Sequence, residues 1–419
     1  MTVSQLQRVD RWLGIPLCFA LTQLRRLGFE RQVSDRKIRN LLFVKLAEQG
    51  STVLAYPAIR AAIERVGKEN VYFLVFDDNR FILDSMDVIP PRNIITISFG
   101  SMGEMLRTGF RALGTLRRLR FDAVVDLEFF SRGSAALSFI TRAQRRVGFH
   151  PFFSAGPYRG DLMTHRLLYN PHLHTGQTFL AMVNALEQNP HSLPTFELVP
   201  EPEQELPPQI APNGNEIERV RAMLKGLPEH SGLILLNPNA SDLLPLRRWP
   251  IQRYVQLAQR LLVTYREAAV AFTGSPPEAE TAARLARDVA SARCISLAGE
   301  TTLRQLLVLF TLADVLVTND SGPAHFATLT PIQVVTLFGP ETPALFSAPS
   351  KRNRALWAGI SCSPCVSAFN NRQSVCRNNV CMQALSVEQV FEEVCKAFES
   401  RRKPIRAEAV LPETFVTRE

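Results

Sequence analysis

Short apolar runs alternate with longer segments whose apolar residues recur at helical spacing. Runs of strand length occur at residues 38–45, 71–76, 94–97 and 123–127, and again at 232–236, 268–272, 294–297, 313–318 and 334–338. Strands that are apolar throughout are typical of parallel sheets, because helices cover both faces of such sheets. The alternation therefore predicts an α/β protein with parallel strands and crossover helices.

A segment rich in Pro, Glu, Gln and Asn separates the two series of strands, and this composition suits a linker. A chain of 419 residues is also expected to form two domains. We predict an N-terminal amphipathic helical segment at 1–36, a Rossmann-like domain at 37–200, a linker at 201–215, a second Rossmann-like domain at 216–385, and a C-terminal helix and tail at 386–419.

The strand at 313–318 is followed by the most informative local pattern, Asn-Asp-Ser-Gly-Pro. Pro323 suits the first turn of a helix, and Asp320 or Ser321 suits its N-cap. A helix that begins there directs N–H groups and the positive end of its dipole at one point, which favours a diphosphate. The strand at 334–338 ends in a second turn, so two loops are expected to border one crevice at the carboxyl edge of a sheet.

The formal net charge of +9 is unevenly placed. Residues 1–180 contain 25 Lys and Arg against 15 Asp and Glu, so the whole excess lies in the N-terminal half. That half is expected to meet an anionic partner, such as nucleic acid, anionic lipid or a phosphorylated glycolipid. The sequence contains no zinc-finger, RNP or homeodomain-like pattern, so we expect no nucleic-acid partner.

The N-terminal segment contains the apolar run 12–22, which is flanked by Arg11, Arg25 and Arg26. The run is shorter than the roughly 20 residues that span a bilayer, and it lacks a signal-peptide cleavage pattern. Trp, Phe and Leu beside Arg fit a helix that lies on a membrane surface, and the alternative is a helix packed on its own domain. We expect a cytoplasmic protein, and in the first case a peripheral protein on the cytoplasmic face of the inner membrane.

Four groups of residues resemble glycosyltransferase family 9, the ADP-heptose:lipopolysaccharide heptosyltransferases. They are residues 45–59; Asn-Pro-Asn-Ala-Ser at 237–241 with Arg-Arg-Trp-Pro at 247–250; residues 297–303; and Asn-Asp-Ser-Gly-Pro-Ala-His at 319–325 with Phe-Gly-Pro-Glu-Thr at 338–342. Each group alone is weakly diagnostic, whereas their order and spacing together are specific. The resemblance runs from about Ile38 to the C-terminal helix. It implies the GT-B fold, in which the parallel sheets of two Rossmann-like domains face a central cleft.

The resemblance also implies an activity, the inverting transfer of heptose from ADP-heptose to a lipopolysaccharide core or a similar anionic glycolipid. The nucleotide-sugar donor would bind the C-terminal domain and the acceptor would bind the basic N-terminal domain. Domain closure would then exclude water from the reaction. Because the sequence contains no Asp-x-Asp motif, we expect transfer to require no metal cofactor.

The positions that match the family's motifs give the donor site. Ser321 and Gly322 would contact phosphate, and His325 would face the ligand. Asp320 would fix the loop by accepting backbone N–H bonds, and direct contact with the sugar is the alternative.

Four more residues complete the expected donor site. Arg247 would neutralise the leaving diphosphate, and Ser241 would donate a hydrogen bond to phosphate. Glu278 would accept hydrogen bonds from ribose hydroxyls, with a helix N-terminal charge as the structural alternative. Thr301 would line the adenine pocket.

The first loop of the N-terminal domain departs from the family. Members carry an Asp after the loop Gly as the base for the acceptor hydroxyl, whereas Ser51 follows Gly50 here. A neutral Ser needs a partner for that task, so we expect Glu48 to supply the carboxylate. Lys45 and Arg60 flank the loop and would contact anionic groups of the acceptor.

Four of the seven cysteines are close in sequence, at Cys362, Cys365, Cys376 and Cys381. Their spacing is compatible with a structural zinc site, and the alternative is a reduced cluster without metal. A disulfide framework does not fit the expected cytoplasmic location.

Two other classes of function remain open at this point. The missing Asp fits a catalytically weak scaffold that binds nucleotide sugar or glycolipid, and the two-domain architecture fits a GT-B nucleotide-sugar epimerase. A Rossmann dehydrogenase is disfavoured, because no Gly-x-Gly-x-x-Gly follows the first strand.

Overall fold

A computed structural model of the chain describes residues 3–29, 33, 36–150, 157–195, 206–241, 244–370 and 372–400. Five predicted segments therefore lie partly outside the described residues: the N-terminal segment, the end of the first Rossmann-like domain, the linker, the second Rossmann-like domain and the C-terminal tail.

The first domain is built on a parallel sheet. Its strands are β1 (Leu41–Val44), β2 (Val71–Phe76), β3 (Ile94–Ile97), β4 (Ala123–Asp126), β5 (Arg145–Phe149) and β6 (His165–Leu167). They form a six-stranded sheet in the order β3-β2-β1-β4-β5-β6. The helices are α1 (Val3–Trp12), α2 (Gly14–Arg26), α3 (Gln49–Leu54), α4 (Tyr56–Val66), α5 (Asp77–Met86), α6 (Met102–Leu119), α7 (Arg132–Ile140) and α8 (Thr175–Ala185).

The second domain repeats this plan. Its strands are β7 (Gly232–Asn237), β8 (Ala268–Phe272), β9 (Cys294–Ser296), β10 (Val315–Asn319), β11 (Gln333–Phe338) and β12 (Asn353–Trp357). They form a parallel sheet in the order β12-β11-β10-β7-β8-β9. The helices are α9 (Gly214–Met223), α10 (Ile251–Thr264), α11 (Ala279–Val289), α12 (Leu303–Leu312), α13 (Gly322–Phe326), α14 (Pro343–Phe346), α15 (Val380–Gln383) and α16 (Val387–Ser400).

Both sheets have the same doubly wound topology, counted from the first strand of each domain. The strand order reverses between β1 and β4 in the first sheet and between β7 and β10 in the second. In such sheets the ligand crevice lies outside the carboxyl ends of the strands at the reversal point. The predicted α/β architecture with two parallel sheets is confirmed.

The strands that the sequence missed are those without a continuous apolar run. The strand β5 begins with two arginines and contains Gly148, β6 has three residues, and β12 is an edge strand whose residues are all partly exposed or exposed. Burial on both faces of a parallel sheet produces the apolar signal, so a short or edge strand does not show it.

The predicted linker and C-terminal boundaries also differ from the structure. The helix α9 begins at Gly214, inside the predicted linker, and Asn213 and Glu216 form its capping box. The helix α16 lies at the start of the predicted C-terminal helix and tail, and its buried apolar residues join the core of the second domain. The packing of α16 shows that this helix is part of that domain.

The helices α1 and α2 pack on the first domain through their small and polar residues. Gly14, Cys18 and Thr22 are the buried stripe of α2, which contacts α7. Asp10 at the end of α1 accepts hydrogen bonds from the backbone N–H groups of Arg132 (3.0 Å) and Gly133 (2.9 Å), so it caps α7. One face of α2 therefore packs on the first domain, as one of the two predictions for this segment stated.

The two domains meet through apolar and close backbone contacts. Leu54 of α3 packs with Phe338 and Phe346 of the second domain. At Gly50 an added Cβ would lie 2.5 Å from the ring of His325, so only glycine allows α3 to approach α13 this closely.

Asn319 fixes the carboxyl end of β10 through four hydrogen bonds. Its side-chain oxygen accepts from the backbone N–H of Trp249 and the hydroxyl of Tyr254, both at 3.1 Å. Its side-chain nitrogen donates to the carbonyls of Pro238 (3.0 Å) and Asn239 (3.1 Å). One buried amide therefore connects β10 to the loop after β7 and to the start of α10.

Replacing Asn319 should destabilise the second domain. Asn319→Ala leaves two buried donors and two buried carbonyls without this partner, so we expect unfolding to become easier by about 3 kcal/mol. Tyr254→Phe removes one donor and leaves Trp249 bonded, so it should cost about 1 kcal/mol. Calorimetric melting of both variants measures the effect, and equal melting temperatures for Asn319→Ala and the parent would contradict it.

Candidate active site

A cavity of about 820 Å³ lies where the carboxyl ends of the two sheets face each other. Loops that follow strands of both domains line it. The sequence-predicted site residues that line the cavity are Glu48, Ser51, Ser241, Arg247, Glu278, Thr301, Asp320, Ser321, Gly322 and His325. The structure therefore brings most of the predicted site together at the predicted edge.

The turn after β10 has the predicted strand–turn–helix form, but its details differ. Ser321 is the N-cap residue of α13, and no side chain caps this helix. The hydroxyl of Ser321 instead bonds to the carbonyl of Asn319 at 3.1 Å, because the extended backbone places it beside its own strand. Ser321 therefore occupies the predicted N-cap position, but its side chain makes no capping hydrogen bond. Because α13 has only five residues, its dipole supplies less positive potential than the sequence suggested.

Arg247 enters the cavity from a short 3-10 helix before α10 and is held by two carboxylates. Its Nη2 lies 2.9 Å from Oε2 of Glu341, and its Nε lies 3.8 Å from Oδ2 of Asp320. Its Nη1 donates to the carbonyl oxygen of Asp320 at 3.1 Å. Asp320 was expected to accept backbone N–H bonds, and the structure corrects this because its carboxylate faces Arg247 instead.

Arg372 is a second partly buried cation in the cavity, and it joins the two domains. Its Nη1 pairs with Glu48 of the first domain, while its Nε lies 3.2 Å from Oε1 of Glu341 in the second. Its guanidinium also lies over the ring of Phe346, at 4.7 Å. Although burial opposes the charge, the neighbouring carboxylates of Glu48, Glu341 and Asp320 raise the pKa of Arg372, so it remains a cation.

The loop that carries Arg372 is anchored on the first domain by Phe369. The ring of Phe369 packs edge-on against Tyr169 at 5.0 Å and lies 6.2 Å from Phe130. Arg372 itself has a φ of 55°, a left-handed conformation that is costly for a residue with a side chain. The aromatic contacts and the ion pairs together hold this conformation.

Glu48 is fixed by cations on two sides. Arg372 contacts Oε1, and Nζ of Lys45 lies 3.6 Å from Oε2. Burial alone would raise its pKa, but Arg372, Lys45 and Arg247 outweigh burial and lower the pKa of Glu48 to about 2. A carboxylate with so low a pKa is a weak base, so the structure argues against the base role that the sequence suggested for Glu48.

Ser51 is buried and donates its hydroxyl hydrogen to the backbone carbonyl of Glu48 at 2.9 Å, with the Glu48 carboxylate 3.3 Å away. These bonds, together with the φ of 68° at Glu48, shape the tight turn at the start of α3. Ser51 therefore holds the loop, and its contacts place no strong base beside its hydroxyl.

The two residues predicted to bind the acceptor lie outside the cavity lining. Lys45 is completely buried, and its Nζ lies 3.3 Å from Oε1 of Glu128. Because this amine is enclosed between Glu128 and Glu48, the structure corrects the prediction that Lys45 contacts the acceptor. Arg60 lies on α4, where its Nη2 is 3.6 Å from Glu64.

His325 lines the cavity, as predicted, and is almost fully buried. Burial and the nearby cation Arg247 lower its pKa to about 4, so the ring is neutral at neutral pH. Its Nδ1 has no hydrogen-bond partner among the described residues. The ring is therefore a neutral imidazole in the cavity wall, with Nδ1 enclosed by the protein.

The far end of the cavity is formed by the loops after β8 and β9. Oε2 of Glu278 accepts hydrogen bonds from the backbone N–H of Ser275 (2.6 Å) and from its hydroxyl (2.7 Å), so this carboxylate closes a capping box. Glu278 therefore has the structural role at a helix N-terminus that was the alternative prediction. It also lines the cavity, where the predicted ribose would bind. Thr301 lies next to Thr302, the capped start of α12.

The cysteines of the loop before α16 are all free thiols. Cys381 is buried against Gly339, while Cys362 and Cys376 are exposed. Over the described ranges, no group of three or more His, Cys, Asp or Glu side chains is placed to hold a metal ion.

Two functional residues escaped the sequence analysis. Glu341 lies three residues after β11, much as Asp320 directly follows β10, and this position at a strand end was the available signal. Arg372 lies in a loop without secondary structure, between the cysteines, and nothing in its local sequence indicates a cation that pairs with two carboxylates.

Comparisons with known proteins agree with this geometry. The sequence profile of glycosyltransferase family 9 (heptosyltransferase) matches residues 110–375. Lipopolysaccharide heptosyltransferase 2 of Salmonella typhimurium is 35% identical over 102 residues, which are 24% of this chain and 29% of that relative. The matched part is thus under a third of the relative's length.

Solved structures share the fold. The structure of E. coli ADP-heptose lipopolysaccharide heptosyltransferase II matches with a TM-score of 0.64 at 19% identity, over 87% of this chain and 100% of the other. An E. coli heptosyltransferase with ADP-2-deoxy-2-fluoro heptose matches with a TM-score of 0.57 at 16% identity, over 85% and 99% of the two chains. These likenesses show the GT-B fold, and because the profile covers more than half of the sequence, the chain belongs to glycosyltransferase family 9.

Proposed function

We propose that this protein is an inverting glycosyltransferase that moves heptose from ADP-heptose to a lipopolysaccharide core or a similar anionic glycolipid. One observation carries the proposal: in a family 9 chain, a partly buried Arg247 lies at the carboxyl edge of the second sheet, inside a cavity that both domains line. A cation there is suited to the charge that a leaving diphosphate develops.

The donor fits the half of the cavity that belongs to the second domain. The loops with Glu278 and Thr301 would hold the nucleoside, and Ser241, Arg247 and Ser321 would hold the diphosphate. A cavity of about 820 Å³ is within the range of small-molecule sites. The fold neighbour with bound ADP-2-deoxy-2-fluoro heptose supports the same class of donor for this chain.

The proposed reaction is a direct displacement. An acceptor hydroxyl attacks the anomeric carbon from the side opposite the diphosphate, so the configuration at that carbon inverts. The bond from this carbon to the phosphate oxygen breaks, and its electron pair remains on ADP. Because α13 is short, Arg247 rather than the helix dipole supplies most of the compensating positive charge.

The acceptor is proposed to approach from the first domain, which carries the excess of basic residues. In the described part of the chain, no helix combines the length and apolar character required to cross a bilayer. Residues 12–27, from the end of α1 through α2, nevertheless expose large apolar side chains: Trp12 is 76% exposed and Phe19 is 58% exposed, and Leu13 and Leu27 are also exposed.

These exposed side chains fit an anionic lipid surface. The helix α2 packs on α7 through Gly14, Cys18 and Thr22, and its large apolar side chains except Leu21 are exposed. Exposed Arg11 and Arg26 flank them and complement anionic headgroups. We therefore propose that α1 and α2 rest on the membrane that contains the acceptor, on the cytoplasmic face of the inner membrane.

Nucleotide binding tests the donor site. ADP should raise the melting temperature of the protein more than UDP or GDP does, because ligand binding stabilises in proportion to occupancy.

In isothermal titration, Arg247→Ala should lower the affinity for ADP roughly 10- to 100-fold, the range expected for a lost charged hydrogen bond. Arg260→Ala, on the exposed face of α10, is the matched control and should bind ADP like the parent. Equal ADP affinity of Arg247→Ala and the parent would refute this donor site, and binding without transfer would indicate a scaffold.

Vesicle binding tests the membrane surface. The full chain should co-float with vesicles that contain phosphatidylglycerol, and the triple variant Trp12→Ser, Phe19→Ser, Leu27→Ser should lose at least about tenfold in binding, since each large apolar side chain is worth about 1.5–3 kcal/mol on burial. Val263→Ser, exposed on the second domain, is the control and should bind like the parent. Unchanged binding of the triple variant would exclude this surface.

A further inference from the structure

The proposed transfer requires a group that takes the proton of the acceptor hydroxyl. Ser51 replaces the expected Asp, and Glu48 is held as a weak base by Arg372 and Lys45. The structure therefore has to supply the base from another part of the cavity.

Glu341 is the buried carboxylate that meets this need. It lies in the turn between β11 and α14, lines the cavity, and is only 2% exposed. Its Oε2 is paired with Arg247 at 2.9 Å. Its Oε1 lies 3.2 Å from Nε of Arg372, yet the geometry gives it no hydrogen-bond partner among the described residues. Oε1 of Glu341 is therefore enclosed beside Arg372, positioned by the network, and has a lone pair that no hydrogen bond from a described residue uses.

The charges around Glu341 set its proton affinity. Burial and the adjacent carboxylate of Asp320 favour the neutral form, whereas Arg372 and Arg247 favour the ionised form. The balance raises the pKa of Glu341 to about 7. Glu48 affects the pKa of Glu341 through the shared partner Arg372. The other titratable groups nearby, His325 and Tyr169, are neutral at neutral pH.

We propose that Glu341 is the general base of the transfer reaction, an inference that rests on the glycosyltransferase function proposed above. The acceptor O–H bond breaks and its proton goes to Oε1 of Glu341. The hydroxyl oxygen forms the new bond to the anomeric carbon, and the electron pair of the broken carbon–oxygen bond leaves on the β-phosphate.

The pairing of Glu341 with Arg247 couples the two charge movements. When Glu341 takes the proton, it loses the negative charge that balances Arg247. At the same moment the leaving diphosphate gains negative charge in the same cavity. The guanidinium thus exchanges a carboxylate for a phosphate partner, and the number of uncompensated charges in the buried site does not rise.

Kinetics of Glu341 variants test this inference with ADP-heptose as donor and inner-core-truncated lipopolysaccharide as acceptor. Glu341→Gln keeps the size of the side chain and removes the base, so kcat should fall about 10²- to 10⁴-fold. The ADP-induced rise in melting temperature should persist. Glu388→Gln, which removes an exposed carboxylate on α16, is the matched control and should keep the parent's kcat.

The pH profile distinguishes Glu341 from Glu48. In the parent, kcat/KM should rise with pH through about 7 and level off above it, because the base must be ionised. Glu48→Gln should lower kcat modestly by releasing Arg372 and should keep an acid limb. Glu341→Asp should change the pH at which kcat/KM falls on the acid side of the profile, and it should lower kcat.

Three results would overturn the inference: Glu341→Gln with a kcat within a few-fold of the parent, an acid limb that disappears in Glu48→Gln, or an acid limb that does not move in Glu341→Asp. Should Glu341→Gln melt below the assay temperature, the profile of Glu341→Asp decides. A parent protein that binds no ADP and releases none from the donor would instead refute the proposed function itself.

Discussion

The structure depends on one ionic bridge across the cleft, in which Arg372 joins Glu48 of the first domain to Glu341 of the second. Glu341 is buried, while Arg372 and Glu48 are partly buried, and a buried charge persists only when it is paired, so the three side chains fix the distance between their loops. Glu48 and Arg372 both have positive φ angles, at 68° and 55°. Such conformations cost about 1–3 kcal/mol each, and the bridge offsets that cost.

The repeated sheet topology explains why the bridge forms where it does. In each domain the strand order reverses beside the first strand, and the loops at that reversal contribute Glu48 in one sheet and Asp320 in the other. Because strand carboxyl ends of both sheets face the cavity, polar residues that follow buried strands converge there. Fold and site are thus two consequences of the same arrangement of parallel strands.

The sequence predicted an element correctly where the residues of that element alone determine its structure. The strands β2 and β8 were predicted with their observed ends, since each is a continuous apolar run. The prediction failed where contacts with residues outside the element determine the position of a side chain. The hydroxyl of Ser321 bonds to the carbonyl of Asn319 and accepts no hydrogen bond from a helix N–H. The amine of Lys45 bonds to Glu128, which is 83 residues away in the sequence. Arg372 contacts Glu48 across 324 residues, and no local pattern encodes such a pairing.

In the proposed reaction, the replacement of the expected Asp by Ser51 moves the base from the first domain to the second. Glu341 belongs to the same domain as Arg247 and the proposed donor site, and an ion pair holds the proposed proton acceptor beside the leaving-group cation. The first domain is left with the tasks of presenting the acceptor and of holding Arg372 through Glu48, and both agree with a carboxylate at position 48 that remains ionised.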